Sequence, residues 1–579
     1  MALTFTRHHQ EGALARYVHE HCSPLIITIS TAQVESTCLR NGLLFHELLA
    51  AFSQLDNINT QVRMGTHNVP LPDTHIRFER SSEVRPRYGS GEGEGDMLEQ
   101  HLRGVFQTAD IGGLPSSLAD VARGTADGGT TGWSQQVEDG FISSMAHSEA
   151  CMTSQPSGLL AVVSTADVDP VACMQELLSA HHAPPCMSSG QYDASTTSVP
   201  RGYCLLHDGS KSSGSSVEVQ FMLQQLRTAL PQGTVHLLVI NSLPTLNIAQ
   251  PDIWSRWLRP RWFSKDVPAI SEAEPLPLNP NSGKAALGCR LSMEDCMALR
   301  NLCISLFQSL ALPALERRAW GLGRTVAESR RGVKNFFKGF LRKPRDETPA
   351  PNGGPRYPLD RLETQTLLLA DTCFAIGDFE NAGVHYRSVR DDFRADRSNA
   401  HFLHCTLMVA LCQCHLAPNN VHDRRECLES ISQLMYAVHT QPGTPPQLAA
   451  YYALLGSELY VAPKRANMRY PNEAAHLLLQ AAQLYAYTPP NNGRNTYVQA
   501  AAGGSPLVSA LLTERAALLL LQAGKVRHFA LYSMVAGTKY QMLPLPWKSQ
   551  ASLCFSSALL LYENGNWGGI KSKLTTHLL

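Results

Sequence analysis

The second half of this chain repeats one kind of turn between helices, and that repetition restricts the fold more than any other feature. Gly377-Asp378-Phe379-Glu380-Asn381-Ala382 is followed four residues later by Tyr386, and Gly565-Asn566-Trp567-Gly568-Gly569-Ile570 is followed four residues later by Leu574. Gln522-Ala523-Gly524-Lys525-Val526-Arg527-His528-Phe529-Ala530 is a looser copy. A glycine closes one helix, an aromatic plugs the turn and a small residue lets the next helix pack closely. Leu, Ala and Tyr at helical spacing predict helices over 362–374, 379–393, 401–414, 421–439, 447–460, 472–485, 506–523, 526–539, 549–563 and 567–578. Hairpins of this kind bury one face against a neighbour and therefore stack, which predicts a tetratricopeptide-like α-solenoid over 359–579. The last helix runs to Leu579 without a polar capping repeat, so the array is expected to continue into a partner or into more chain.

A chain of 579 residues exceeds what one core organises, so more than one domain is expected. Residues 343–358 hold five prolines and two glycines, a linker composition. Ahead of it the pattern changes. Pro24-Leu25-Ile26-Ile27-Thr28-Ile29 is a short β-branched run, and residues 40–52 form an amphipathic helix. The segments 158–164, 203–207 and 234–241 read as buried strands, with helices over 170–181 and 217–230 between them. Strand and helix alternating in this order predict a largely parallel sheet with covering helices. Loop-rich stretches at 80–130, 184–200 and 264–288 interrupt it, and helix returns over 292–310. The expected fold class is α+β multidomain: an N-terminal α/β region (1–315), a basic amphipathic helix (316–343), a linker (344–358) and the C-terminal solenoid (359–579).

The basic helix is the candidate functional site. Between Arg317 and Arg345 there are ten Lys or Arg residues and a single acid, Glu328, in a chain whose net charge is zero. On a helical wheel Leu322, Val326, Val333, Phe336, Phe337, Phe340 and Leu341 share one face, with Arg331, Lys334, Lys338 and Arg342 beside it. Such a helix fits the surface plane of an anionic membrane. The other reading is a packed helix with a solvated charged face. The crowding of Phe336, Phe337, Phe340 and Leu341 just before a linker favours docking, as do Gly332 and Gly339, which weaken the helix in water. Each buried aromatic or Leu contributes ~1.5–3 kcal/mol and each nearby cation ~1 kcal/mol at an anionic surface. Ordering the backbone costs ~1–2 kcal/mol per residue, so binding by this segment alone is expected to be reversible. The proposed membrane-binding residues are Val333, Lys334, Phe336, Phe337, Lys338, Phe340, Leu341 and Arg342.

Other chemistries find little support. Zero net charge argues against a nucleic-acid binder. The N-terminus lacks an apolar signal core, and no uninterrupted apolar run reaches the ~18–20 residues of a membrane span. A soluble, intracellular chain with peripheral membrane contact is expected. The 15 cysteines have no framework spacing and read as reduced thiols. Asn281-Ser282-Gly283-Lys284 lacks the first glycine and the hydroxyl of a phosphate-binding loop, and the glycines of 89–95 are interleaved with acids. Cys405, Cys412 and Cys414 lie near His401, His404 and His415, but two thiols spaced Cys-x-Cys on a helix diverge, so buried thiols are preferred to zinc. No nucleophile signature is present. No enzyme activity, cofactor or metal is expected.

Several short motifs, in order, resemble the trafficking protein particle (TRAPP) complex subunit eight family, the large subunit of the type III TRAPP complex. Leu43-Leu44-Phe45-His46-Glu47-Leu48-Leu49-Ala50-Ala51-Phe52-Ser53 resembles an early family element. Leu205-Leu206-His207-Asp208, Ile240-Asn241-Ser242 and Pro251-Asp252-Ile253-Trp254-Ser255 follow, with Ile253 where the family has proline. Gly288 to Ser292, then Leu312-Pro313, lead into the basic helix in the family's order. Tyr357-Pro358-Leu359-Asp360, Ala370-Asp371-Thr372-Cys373-Phe374, Asp378-Phe379, Tyr386 and Asp391-Asp392-Phe393 resemble the start of its helical half, and Gly565-Asn566-Trp567 a late repeat. The insertions between Arg80 and Pro200 have no evident counterpart, and the chain stops inside the helical array, where relatives usually continue.

The resemblance implies a non-catalytic subunit attached to a small core that acts as guanine-nucleotide exchange factor for a Rab-family GTPase. It implies TRAPP core subunits as partners, the GTPase as an indirect one and an anionic membrane as a peripheral one, in ER-Golgi transport and autophagy. The implied location is cytoplasmic, peripherally on Golgi, vesicle or pre-autophagosomal membranes, reached partly through an amphipathic helix at the position of residues 333–342. Two other readings stay open: a generic helical-repeat adaptor for cargo or coat proteins without membrane contact, and an enzyme within the α/β region.

Overall fold

The computed structural model describes residues 13–80, 155–179, 199–258, 276–331, 361–433, 446–486, 506–562 and 567–578, with short gaps inside several of these spans, together with Tyr357 and a few residues between 117 and 142. The chain has an α/β half followed by a helical half, consistent with an α+β protein.

The α/β half is built on one five-stranded sheet. Its strands are β1 (Leu25–Ser30), β2 (Arg77–Arg80), β3 (Pro156–Ser164), β4 (Arg201–Asp208) and β5 (Val235–Ile240). They lie in the order β2-β1-β3-β4-β5 and every pairing is parallel. This is a doubly wound order, with its switch point between β1 and β3. Two further strand pairs, Gln61–Met64 with His67–Pro70 and Gln54–Leu55 with Thr74–His75, fill the connection from β1 to β2.

Alternation along the strands separates two cores. Ile27, Ile29, Leu159, Ala161, Val163, Tyr203 and Leu205 point to one face, under α4 (Pro170–Ser179) and α5 (Ser216–Ala229), through Met174, Leu223 and Leu226. Ile26, Leu160, Val162, Cys204, Leu206, Leu238 and Ile240 point to the other. That face is covered by α2 (Ala32–Leu39), α3 (Phe45–Ala50) and α6 (Met293–Leu306). Ahead of β1, the short helix α1 (Ala13–Tyr17) leads into a wide turn at Val18–Cys22.

Helix α6 does not end at the sheet. A wide turn at Phe307–Ala311 joins it to α7 (Leu312–Arg331). Pro313 explains the widening: it has no N–H, and its ring would clash with the carbonyl four residues back, at Ser309. The span Met293–Arg330 is long and apolar enough to cross a membrane by length and composition. Its Leu299, Leu302, Leu306, Phe307 and Leu310 are instead buried against the sheet.

The helical half comprises α8 (Leu362–Ala375), α9 (Phe379–Ala395), α10 (Asn399–Leu416), α11 (Pro446–Val461), α12 (Pro471–Ala486), α13 (Pro506–Gln522), α14 (Val526–Gln541), α15 (Lys548–Tyr562) and α16 (Gly568–Leu578), each packed on the next. The turn read from sequence closes α8 as expected. Gly377 sits at φ +82°, and the amides of Gly377 and Asp378 donate to the carbonyls of Phe374 and Cys373 at 3.0 and 2.9 Å. The ring of Phe379 stacks on His415 with centroids 4.1 Å apart, and Ala382 is buried. Gly524 closes α13 the same way, at φ +72°. Gly565 lies outside the described residues.

The two halves share contacts away from α7 as well. The hydroxyl of Tyr17 donates to Met408 Sδ at 3.7 Å, and its ring meets Tyr451 edge-on. Ile376, at the α8–α9 turn, joins the core of the α/β half.

Candidate membrane-facing helix

Helix α7 has two unlike faces. Leu315 and Val326 are buried and Leu322 is half-buried, packed toward the helical half and the sheet. Arg318 also turns inward, donating from Nη2 to the Pro156 carbonyl at 2.9 Å, and burial pulls its guanidinium down to about 10. Arg317, Trp320, Arg324 and Glu328 line the outer face and are exposed. Arg324 and Glu328 pair at 2.8 Å one turn apart, an exposed contact that solvent screens.

The residues proposed from sequence, Val333, Lys334, Phe336, Phe337, Lys338, Phe340, Leu341 and Arg342, lie outside the described residues. The chain on either side of them is described, and both ends come to α9. At the near end, Arg330 donates to Ser388 Oγ and approaches Asp392 Oδ2 at 3.6 Å. At the far end, Tyr357 is buried, with its ring edge-on to Phe393 at 4.9 Å and against His401 at 4.7 Å. Arg330 and Tyr357, both described, thus each attach to α9. Tyr357 and Phe393 both belong to the motifs that carried the resemblance. At the head of the apolar stripe, Val326 is buried by the protein itself and Leu322 packs half-buried beside it.

The carboxyl edge of the sheet is where doubly wound folds place ligands. Here its polar groups are engaged with one another. Asp167 accepts from Thr31 Oγ1 at 2.9 Å and from the Ser164 amide at 2.7 Å, setting a carboxylate at the start of α2, at the switch point. Glu35 accepts from the Phe45 amide at 3.1 Å and from Ser30 Oγ. Asp208 accepts from Arg40 Nη1 at 2.6 Å, from Ser210 Oγ at 2.8 Å and from Asn241 Nδ2 at 3.3 Å. Burial opposes the charge of Asp208, yet the bonds from Ser210, with Arg40 and Asn241, hold its carboxyl below the ordinary range. Asn41 Nδ2 donates to Asn241 Oδ1 at 2.7 Å, and Ser242 donates to Asp295 through its amide and hydroxyl.

This network went unread in the sequence, although Asp208, Asn241 and Ser242 sit in motifs that carried the resemblance. The signal available was position: each lies at or just past the carboxyl end of a strand. Trp254, in another of those motifs, is fully buried and donates to the Leu48 carbonyl at 3.3 Å. Cys405 and Cys412 are buried between helices, and among the described residues no group of three or more His, Cys, Asp or Glu could hold a metal ion.

Comparison with known proteins places these motifs in context. A family profile described as the ER-Golgi trafficking TRAPP I complex 85 kDa subunit matches residues 18–464. Human trafficking protein particle complex subunit 8 is 21% identical over 629 aligned residues, which cover 94% of this chain and 40% of that relative. The chain therefore spans about 40% of the length of the curated relative it matches.

Proposed function

Because the chain belongs to the TRAPP 85 kDa subunit family, we propose that it is a non-catalytic scaffold and membrane-recruitment subunit of a TRAPP-type tethering and Rab exchange complex, acting in ER-Golgi transport and autophagy. The family match across the sheet, the basic helix and the first helices of the second half carries this reading. In it, the α/β half docks TRAPP core subunits, the second half forms a solenoid, and the complex rests peripherally on Golgi, vesicle or pre-autophagosomal membranes.

Membrane contact is assigned to Val333, Lys334, Phe336, Phe337, Lys338, Phe340, Leu341 and Arg342. The interleaving of bulky apolar side chains with Lys334, Lys338 and Arg342 in the sequence supports it, the pattern of a helix that lies in the plane of an anionic membrane surface. Flotation with anionic vesicles tests the assignment. Phe336→Asp/Phe340→Asp is expected to abolish most binding, and equal binding by the variant and the wild type removes the membrane role. Co-purification of small TRAPP core subunits from the native cells tests the scaffold role.

The packing of Leu322 and the burial of Val326 favour a second reading, in which the whole apolar face meets protein and the chain is an adaptor without lipid contact. The same flotation assay separates the two.

A further inference from the structure

We propose that the open edge of the sheet, along β5, takes up an extended, acidic segment of a partner protein as a sixth strand. β5 ends the strand order, and among the described residues it pairs only with β4. No TRAPP subunit need supply that segment, so the edge stands independent of the scaffold role.

The register shows which backbone groups are left over. The amide of Tyr203 donates to the Thr234 carbonyl at 3.1 Å, and that of Gly209 to the Ile240 carbonyl at 2.7 Å. Even-numbered residues of β5 therefore turn their N–H and C=O toward β4, and those of Val235, Leu237 and Val239 point away from the sheet. Among the described residues these outward groups have no hydrogen-bond partner. Leu237 and Val239 are half-buried, whereas β4 is buried from Gly202 to Leu206.

The two edges of the sheet differ. β2 carries Arg77, Glu79 and Arg80, charges that discourage a further strand. Val235-His236-Leu237-Leu238-Val239-Ile240 has no Lys, Arg, Asp, Glu or Pro, and its register on β4 runs without a bulge. A straight, apolar edge of this kind is a template for strand addition.

The occupant follows from what surrounds the edge. Outward groups repeating every second residue, about 6.6 Å apart, match an extended backbone. A helix spends its amides internally, and a lipid has none. On the helical wheel Gln220, Gln224 and Arg227 share one flank of α5, beside its buried stripe of Val219, Leu223 and Leu226, and all three are exposed. Arg227 sets this flank near β5: burial first, and then the charge of Arg227, hold His236 below the ordinary histidine range. Arg227 makes no ion pair among the described residues, and His236 Nε2 is buried without a hydrogen-bond partner among them. A polar, cationic wall thus overlooks the free backbone and suits a strand that carries carboxylates. A second copy of β5 across a two-fold axis would instead set Arg227 against its own copy.

The test irradiates the full chain, with p-benzoylphenylalanine in place of Gln224, in extract of its native cells, and identifies the linked peptides by mass spectrometry. The expected product is a link to one segment of another protein with more Asp and Glu than Lys and Arg. Val239→Pro deletes an outward N–H that takes no part in the ladder to β4. It is expected to lower recovery of the linked partner about tenfold, equivalent to about 1.4 kcal/mol. Val239→Lys keeps the N–H but places a charge on the edge, and is expected to lower recovery with an unchanged melting curve, which decides the matter should the proline variant unfold. Arg227→Glu is expected to weaken recovery as well. Wild-type recovery in both Val239 variants overturns the inference, as does a link to a second copy of this chain, a linked segment without an acidic excess, or no link. Loss of the linked partner while small TRAPP core subunits still co-purify upholds the edge and leaves the scaffold role standing. Absence of those subunits from the wild-type preparation sinks the scaffold role without touching the edge.

Discussion

Asp392 and Phe393, neighbours on α9, hold opposite ends of the same stretch of chain: Arg330 lies 3.6 Å from Asp392, and the ring of Tyr357 meets Phe393 edge-on at 4.9 Å. The two attachments differ in kind. The ionic one is half-exposed and the aromatic one is buried.

Tyr357→Ala is therefore expected to destabilise the helical half by about 3 kcal/mol, the scale of an aromatic deleted from a core. Arg330→Ala is expected to cost less than about 1 kcal/mol. Urea unfolding followed by circular dichroism measures both, and equal losses would contradict the division between a buried and a solvated attachment.

Gly377→Ala and Gly524→Ala separate strain from crowding. Both positions have positive φ, so alanine is expected to cost about 1 kcal/mol at each. At Gly377 the new Cβ would also lie 3.0 Å from Leu71 Cδ1, whereas at Gly524 it meets nothing within 4 Å. Gly377→Ala should lower the melting temperature further than Gly524→Ala, and the reverse order would show that Leu71 does not press on this turn.

Glu514 makes the helical half sensitive to pH. It is buried between α13, α14 and α15, and desolvation raises its carboxyl to about 7, against hydrogen bonds from Tyr540, Gln550 and Cys554 that favour the charge. The folded chain holds a proton that the unfolded chain releases. Its contribution is present in full below the unfolded value near 4.5 and is lost as pH rises through about 7. The span is on the order of 3 kcal/mol. Melting temperatures across that window should fall with rising pH in the wild type and flatten in Glu514→Gln. A wild-type profile no steeper than that of the variant would refute the assignment.

Asp208 works in the opposite sense. Its carboxyl is held low, so its contribution is present above the ordinary aspartate value and is lost as pH falls through the folded value. Asp208→Ala leaves Arg40, Ser210 and Asn241 without their common acceptor and is expected to cost about 2–4 kcal/mol. Unfolding of the α/β half in denaturant reads this directly, and a loss below about 1 kcal/mol would show the network to be dispensable.

Much of this architecture was legible from hydrophobic pattern alone. The strands at 158–164 and 203–207 were readable because both their faces are buried, which leaves continuous apolar runs, and the half-buried strand at 234–241 keeps such a run as well. β2 was not readable, because Arg77-Phe78-Glu79-Arg80 has one apolar residue. Its Arg77 and Glu79 are buried, and Arg77 donates to the Glu20 carbonyl, a tertiary contact that local pattern does not encode. Without β2 the doubly wound order could not be written down. The break expected near residue 315 also rested on local pattern, while α7 runs through that position from Leu312 to Arg331. The cationic stretch was visible as composition. Its division into a face that packs and a face that carries Trp320 depends on which neighbours α8 and α9 supply.

The uninterrupted rod from Met293 to Arg331 has a mechanical consequence. One end packs on the sheet and the other packs on the helical half through Val326, so one continuous helix joins the two cores. A subunit gripping the sheet would set the tilt of this helix as well, turning assembly geometry into orientation.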